Sequence, residues 1–243
     1  MELKGRIALV TGASKGIGEA ISLALASEGV CVALVARSQE RLRALEEAIR
    51  KDGGEAIAIT ADFSSEPQIE GAFQKIEEAF GRLDILVNNA GIGVFGKVGE
   101  MQVHDYRRVL ETDLLGPIVA SHYAVNLMKR AGSGHIVNVS SVAGHIGTSG
   151  WASYNASKWG LRGFSESLRK ELIPFGIKVS VLSPGVVESE WGENMPEDWL
   201  KRRNQEVTPL TPEDMARAVL FLLQQPERVC INEILVRPTN QER

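Results

Sequence analysis

The feature that most constrains the fold of this 243-residue chain is a regular alternation of short apolar runs, rich in β-branched residues, with longer amphipathic segments. Because parallel strands need a long connection, usually a helix, the alternation predicts an α/β domain built on a parallel sheet. The predicted strands occupy residues 7–10, 30–35, 56–61, 85–88, 135–139, 178–182 and 233–236. The predicted helices occupy residues 19–27, 39–51, 67–80, 103–130, 152–175 and 212–224.

Length and composition fit one domain over residues 1–243, since no repeat, low-complexity stretch or linker divides the chain. The net charge of -4 argues against a general nucleic-acid binder, which needs a basic surface. No apolar run reaches membrane-spanning length, and the first strand begins too early to leave room for a signal peptide. Cys31 and Cys230 stand at no metal-ligand spacing. We therefore expect a cytoplasmic protein without a metal site, membrane segment or nucleic-acid partner.

A glycine-rich turn follows the first predicted strand and opens the first predicted helix. Residues 11–18 read TGASKGIG, with glycine at positions 12, 16 and 18. Such glycines permit a tight turn, a close approach of the backbone to a pyrophosphate and close packing of helix on sheet. The spacing G-x-x-x-G-x-G differs from the commoner G-x-G-x-x-G. A plain strand-to-helix turn uses the same residues, so this turn alone indicates a dinucleotide site only weakly.

Tyr154 and Lys158 stand four residues apart in a predicted helix and so share one helix face, where the ammonium favours the ionised phenol. A phenol that ordinarily titrates near pH ~10 then becomes a usable acid or base nearer neutrality. Ser141 follows a predicted strand, and its hydroxyl could hydrogen-bond an oxygen on which negative charge develops. Each residue alone also fits an ordinary packing or surface role. Together they predict a proton-delivery group for reducing a carbonyl.

These motifs, with Asn88-Asn89-Ala90-Gly91 and Pro184-Gly185, make the chain resemble the short-chain dehydrogenase/reductase family from about residue 4 onward. The resemblance implies an α/β, single-domain, Rossmann-type doubly wound sheet of seven mostly parallel strands with helices on both faces. It also implies a small-molecule carbonyl or alcohol substrate. A homodimer or homotetramer is expected, built from the helices at 103–130 and 152–175.

The resemblance assigns roles residue by residue. Tyr154 is expected to donate the proton and Lys158 to bind the nicotinamide ribose, while Asp62 contacts the adenine. The expected catalytic residues are Ser141, Tyr154, Lys158 and Asp113. The expected cofactor-binding residues, besides Tyr154 and Lys158, are Gly12, Ser14, Lys15, Gly16, Ile17, Gly18, Arg37, Ser38, Asp62, Phe63, Asn89, Ala90, Gly91, Pro184, Gly185, Val187 and Ser189.

The end of the second predicted strand indicates which cofactor is used. An acidic residue there grips the ribose 2′-hydroxyl of NAD, whereas an arginine accommodates the 2′-phosphate of NADP. The strand ends at Ala36, followed by Arg37 and Ser38, and Lys15 supplies a second cation from the glycine turn. We therefore expect NADP(H), and with it carbonyl reduction as the cellular direction.

Two positions depart from the family pattern. Asp113 stands where the family has a catalytic asparagine; an ionised carboxylate there stabilises the Lys158 ammonium but opposes ionisation of Tyr154, which predicts a shifted pH profile. Ser189 stands where the family usually has threonine. Because the hydroxyl is kept, we expect a small effect.

The substrate is predicted less sharply. The pocket is expected among residues 92–98, 142–151 and the segment after Gly185, with a substrate loop at about 186–208 that closes over the substrate. Its members would be Phe95, His145, Ile146, Trp151, Trp191, Met195 and Trp199, a lining that favours an apolar or aromatic carbonyl compound.

Two alternatives stay open. One is a 3-oxoacyl-(acyl carrier protein) reductase, whose acidic carrier could dock on Lys129-Arg130 or Arg169-Lys170. The V-D-G-G ending common in those reductases is absent here, which argues against this alternative without excluding it. The other is a catalytically silent NADP-sensing protein that keeps the fold, suggested by Asp113.

Overall fold

The computed structural model describes residues 2–188, 191–192, 195–196 and 207–242. Within them, seven strands form one sheet in the order β3-β2-β1-β4-β5-β6-β7, and every neighbouring pair is parallel. The strands are β1 (Ile7–Thr11), β2 (Cys31–Ala36), β3 (Glu55–Thr60), β4 (Ile85–Asn88), β5 (Gly134–Val139), β6 (Ile177–Pro184) and β7 (Glu233–Val236). The order reverses between β1 and β4, the switch point at which doubly wound sheets bind ligands.

Helices cover both faces of the sheet, because side chains of successive strand residues point to opposite faces. Ala8 and Val10 of β1 pack with helices of one face, and Ile7 and Leu9 pack with helices of the other. The first face carries α1 (Gly16–Ser27), α2 (Gln39–Lys51) and α7 (Pro212–Leu223), and the second carries α3 (Glu66–Phe80), α5 (Gly116–Ala131) and α6 (Ala152–Leu172). The predicted fold class is confirmed. Among the described helices, none combines the length and apolar content needed to cross a bilayer.

The predicted helix over residues 103–130 is present without a break, but its middle is not α-helical. α4 (Val103–Leu110) is followed by a π-helical turn, Glu111–Leu115, before α5 begins. Pro117 supplies the physical reason, since it has no N–H to donate to the carbonyl four residues before it, which is that of Asp113. Single π turns inside helices are frequent at functional sites. Here the turn carries Asp113, which is fully buried.

Gly116 allows this irregular turn to lie close to the loop after β3. A Cβ at Gly116 would stand 2.2 Å from the carbonyl oxygen of Phe63. Any side chain would therefore push the π turn away from the sheet. The close contact holds Asp113 near the carboxyl ends of the strands, where the predicted site residues converge.

Candidate active site

A cavity of about 1380 Å³ runs along the carboxyl ends of the parallel strands. Most of the predicted site residues line it: Gly12, Ser14, Lys15, Gly16, Ile17, Arg37, Ser38, Asp62, Phe63, Asn89, Ala90, Gly91, Ser141, Tyr154, Lys158, Pro184, Gly185 and Val187. Gly18 and Asp113 lie behind this surface rather than on it. Ser189, Trp199 and most of the expected substrate loop lie outside the described residues. The structure thus brings together motifs that are far apart in the sequence.

The glycine turn after β1 forms one end of the cavity. Gly12 and Gly16 have φ of +66° and +58°, a left-handed conformation that favours glycine. A Cβ at Gly18 would stand 2.2 Å from the Gly12 carbonyl oxygen, so the third glycine serves close packing of α1 on the turn. Lys15 precedes the first turn of α1, whose backbone N–H groups face the cavity end. This cradle suits a pyrophosphate.

Thr11 joins the glycine turn to the turn after β4. Its hydroxyl accepts hydrogen bonds from the backbone N–H groups of Asn89 and Ala90, each at 2.9 Å. The Asn89 side chain returns a hydrogen bond to the Thr11 carbonyl oxygen at 2.9 Å. Sequence reasoning did not place Thr11 in the site, although it opens the TGASKGIG motif. Its role is to hold two cavity walls at a fixed distance.

Tyr154, Lys158 and Ser141 meet near the middle of the cavity. α6 carries Tyr154 and Lys158 on the same face, and the Lys158 ammonium lies 5.4 Å from the centroid of the tyrosine ring. Lys158 also donates to the carbonyl oxygen of Val139 at 3.2 Å. The Ser141 hydroxyl accepts from the backbone N–H of Ala143 at 3.1 Å, and the Ser141 side chain lowers the pKa of the Tyr154 phenol. A phenol, a hydroxyl and an ammonium in this arrangement can bind a carbonyl oxygen and give it a proton.

Asp113 forms a buried ion pair with the lysine of this cluster. One carboxylate oxygen, Oδ1, accepts from the backbone N–H of Ile92 at 2.8 Å, and the other, Oδ2, lies 3.2 Å from Lys158 Nζ. A Cβ at Gly91 would stand 2.9 Å from Oδ2, so glycine at that position makes room for the carboxylate. Burial raises the pKa of Asp113, and Lys158 and Ile92 offset part of that rise.

The ionisation of Tyr154 differs from the sequence expectation. Burial raises the pKa of Tyr154 above its ordinary value, and the lowering by Lys158 is opposed by the Asp113 carboxylate, so the expected shift toward neutrality is wrong for this structure. Burial by itself lowers the pKa of Lys158, but Asp113 and Tyr154 together raise it above the usual value. As predicted, the Asp113 carboxylate opposes ionisation of Tyr154 to the tyrosinate. Tyr154 is held as a phenol, the form that donates a proton.

Comparison with known proteins identifies the family. The model of the short chain dehydrogenase family matches residues 6–199. The chain belongs to that family. A 3-oxoacyl-[acyl-carrier-protein] reductase of Aquifex aeolicus is 36% identical over 240 residues, covering 97% of this chain and 96% of the relative. A metagenomic short-chain oxidoreductase solved in complex with NADP is 36% identical, with a TM-score of 0.85 over 99% of this chain and 100% of that one. An alcohol dehydrogenase from Thermococcus sibiricus, complexed with 5-hydroxy-NADP, is 30% identical, with a TM-score of 0.87 and 98% of both chains covered.

As a short-chain dehydrogenase, the chain is an oxidoreductase of a family that binds a nicotinamide cofactor. The cavity end at β2 fits the adenosine half of such a cofactor. Arg37 and Ser38 line it, and the Ser38 hydroxyl caps α2 by accepting from the Arg41 backbone N–H at 3.5 Å. Arg41 lines the same wall and was missed from the sequence, where it looks like any helix-surface cation.

An aromatic group covers the catalytic end of the cavity. Trp151 and Trp191 stack with ring centroids 5.3 Å apart and planes 18° apart. Trp191 also lies 4.7 Å from the Tyr154 ring, and Phe95 meets Trp151 edge-on at 5.5 Å. A Cβ at Gly93 would stand 2.3 Å from Trp191, so this glycine leaves space for the indole. Of the expected pocket residues, Trp151, Trp191 and Ile146 line the cavity.

His145 is not part of this cavity wall, and the expectation that it is a polar member of the substrate pocket is wrong. Its Nε2 lies 2.9 Å from the carboxylate of Glu233 on β7 and 3.2 Å from the hydroxyl of Ser183 on β6. Arg162 of α6 binds the same carboxylate at 2.8 and 2.9 Å. These contacts hold the imidazole against β6 and β7.

Proposed function

We propose that this short-chain dehydrogenase is an NADP(H)-dependent carbonyl reductase in which Tyr154 is the proton donor. The observation that carries the proposal is the position of the Tyr154 phenol, which is flanked by Lys158 and, together with Ser141, lines a cavity that continues to the glycine turn. A reaction that needs a hydride and a proton at the same carbonyl requires this continuity. The test is oxidation of NADPH and NADH, followed by absorbance, against diketones, aromatic aldehydes, β-keto esters and an acetoacetyl thioester.

The proposed mechanism assigns each protein group one step. The reduced nicotinamide supplies the hydride when bound. Ser141 and Tyr154 orient the carbonyl oxygen, and Tyr154 gives it the phenolic proton as negative charge develops there. Lys158 stabilises the resulting tyrosinate, and Asp113 keeps Lys158 charged. Trp191 and Trp151 exclude water from the aromatic side of the site.

The preference for NADP(H) is supported by the cations around the adenosine end and by the NADP found in the metagenomic relative. Arg37→Ala is expected to lower kcat/KM for NADPH by roughly 10- to 100-fold and to change kcat/KM for NADH little, because a charge-assisted contact to the 2′-phosphate is lost. Steady-state kinetics with both cofactors measures the effect. Arg43→Ala is the control, because Arg43 is an exposed cation on the neighbouring helix α2 and does not line the cavity. A wild type that prefers NADH would refute the NADP(H) assignment.

An apolar or aromatic carbonyl compound is supported as the substrate by the aromatic wall beside Tyr154. Trp191→Ala is expected to raise KM for an aromatic ketone by about tenfold, since a stacking partner worth ~1 kcal/mol or more is removed. The same variant should change KM for butane-2,3-dione much less. Equal changes for both substrates would show that Trp191 supports the pocket without selecting its occupant.

The acyl-carrier reductase is the second candidate, supported by the Aquifex aeolicus relative. Its expected docking cations already have partners: Arg130 pairs with Glu77, Lys129 lies over the Phe175 ring, and Arg169 and Lys170 both pair with Glu166. These contacts leave less charge for an acidic carrier. Preference for the acetoacetyl thioester over the small ketones would favour this candidate. Tight NADPH binding without any turnover would favour the NADP-sensing alternative.

Assembly and location stay predictions. A homodimer or homotetramer through the helices of residues 103–175 is supported by large apolar side chains exposed there, including Leu110, Leu115, Trp159 and Phe175. Leu115 and Trp159 are about half exposed, at 52% and 51%. Such residues are commonly covered when a subunit meets its symmetry mate. A cytoplasmic location is kept as part of the proposal.

A further inference from the structure

Among the described residues after β7, Gln241 is the one that lines the cavity. The segment of residues 237–242 differs from the V-D-G-G ending common in acyl-carrier reductases. None of its residues takes part in the proposed reaction. Gln241 lines the cavity beside Gly185 and Val186. Its Oε1 accepts a hydrogen bond from the backbone N–H of Val186 at 2.9 Å. A turn, closed by the Gln241 N–H bonding the Pro238 carbonyl oxygen at 3.0 Å, directs the side chain there.

Gly185 fits this contact from the other side. Its φ is not in the left-handed region, so conformation does not require glycine here. A Cβ at Gly185 would instead stand 2.2 Å from Gln241 Oε1 and 3.1 Å from Pro238 Cδ. The absence of a side chain at residue 185 and the amide of residue 241 are therefore complementary.

Gln241 completes the fixation of the Val186 peptide groups. The Val186 carbonyl oxygen accepts from Leu210 N–H at 2.9 Å, within the bridge that pairs Val187 with Leu210. The Leu210–Val186 bond joins two backbone groups, so no side-chain substitution removes it. The bond from the Val186 N–H depends on the side chain of Gln241. Loss of Gln241 would leave a partly buried N–H without this partner and would loosen Val186 at its amide end, while the bond at its carbonyl end remains.

We propose that Gln241 is a positioning residue that holds the Gly185–Val187 wall in the conformation that receives the nicotinamide ring. The inference rests on the proposed function in one respect: it takes this wall as the nicotinamide side of the cofactor site, which is what the family resemblance implies for Pro184-Gly185. Asn240 acts at the other end of the intervening segment, where its Oδ1 accepts from the Thr208 N–H at 3.2 Å. Adjacent residues thus brace both ends of the segment that follows the nicotinamide wall.

The experiment compares NADPH with adenosine 2′,5′-bisphosphate, which has only the adenosine half of the cofactor. Gln241→Leu keeps the volume but removes the acceptor, and is expected to raise the Kd of NADPH about tenfold while changing the Kd of the bisphosphate less than about twofold. Gln241→Glu keeps an acceptor and should restore the Kd of NADPH to within about threefold of wild type. Gly185→Ala should reproduce the Leu variant, because its Cβ displaces the amide.

Gln225→Leu is the matched control, since Gln225 is a partly buried glutamine after α7 that does not line the cavity and donates to the Phe221 carbonyl oxygen at its own helix end. Thermal unfolding of each variant should stay near wild type. The inference would be overturned if Gln241→Leu weakened the binding of both ligands equally or did not weaken the binding of NADPH. It would also be overturned if Gln241→Glu did not restore NADPH binding. Carbonyl turnover is measured separately on the wild type: binding without turnover would refute the proposed reaction and leave the Gln241 comparison valid. If NADH binds more tightly, the comparison uses NADH and AMP.

Discussion

Tyr154→Phe is expected to lower kcat for carbonyl reduction by roughly 10²- to 10⁴-fold, the range that a positioned proton donor contributes. The phenol hydroxyl is the group whose pKa the Ser141 side chain lowers, and the ring itself is held by Trp151 at 5.9 Å and Trp191 at 4.7 Å between centroids. Phenylalanine keeps those ring contacts, so the pocket should keep its shape. The Kd of NADPH, measured by fluorescence titration, is expected to change little, while single-turnover reduction should slow by the full factor.

Tyr123→Phe is the control for that experiment. Tyr123 lies on α5 and stacks on Phe73 of α3 with ring centroids 5.7 Å apart, and neither residue lines the cavity. Removing its hydroxyl should leave kcat unchanged. Retention of more than about a tenth of wild-type kcat by Tyr154→Phe would assign proton donation to another group. Loss of NADPH binding in the same variant would mean that the phenylalanine variant reports on cofactor binding and not on proton transfer.

The parts of the fold and site that were predictable from the sequence depend on local chemistry. Each apolar run predicts a strand by itself, and parallel strands place their carboxyl ends at one edge of the sheet. Gly12, Ala90, Ser141 and Gly185, which the family resemblance assigned to the site, each stand just after such a run, and all four line the cavity. The four-residue spacing of Tyr154 and Lys158 likewise needs only helix geometry.

The parts that were not predictable depend on contacts between distant segments. His145 was expected in the pocket, but its side chain pairs with Glu233 on β7, which is far from His145 in the sequence. Gln241 reaches the cavity because of a turn after β7, and no spacing rule links it to Val186. The Tyr154 pKa depends on how deeply the phenol is buried, whereas the sequence indicates only the neighbouring lysine. The π turn was hidden because the apolar pattern continues across it.

Asp113→Asn is expected to change both the pH dependence of the reduction and oxidation rates and the free energy of unfolding. Asp113 raises the pKa of Tyr154, a group whose pKa burial has already raised, so removal of this charge should lower that pKa. Reduction needs the phenol and oxidation needs the tyrosinate. The alkaline fall of the reduction rate should therefore begin at lower pH in the variant, and alcohol oxidation near neutral pH should become severalfold faster. Rates in both directions across the pH range measure this.

The same substitution leaves Lys158 buried without its counter-charge. We expect the free energy of unfolding at pH 7 to fall by about 3 kcal/mol, the low end for breaking a buried pair, because an amide oxygen can still accept from Ile92 N–H. Lys158 has a raised pKa in the folded protein, so its contribution is fully present at neutral pH and is lost only as pH rises through that raised value. Urea unfolding at pH 7 tests this expectation.

Asp84→Asn separates the two effects of Asp113. Asp84 is also a buried carboxylate, with its oxygens accepting from Ile7 N–H at 2.8 Å and from Arg6 at 3.1 Å, but it precedes β4 at the amino end of the sheet, far from Tyr154. Its removal should destabilise the protein and leave both pH profiles in place. If Asp113→Asn behaves in the same way, Asp113 is a structural ion-pair partner only. If the profiles move for Asp113→Asn alone, the carboxylate controls the proton donor, and the direction of the movement distinguishes a raised from a lowered tyrosine pKa.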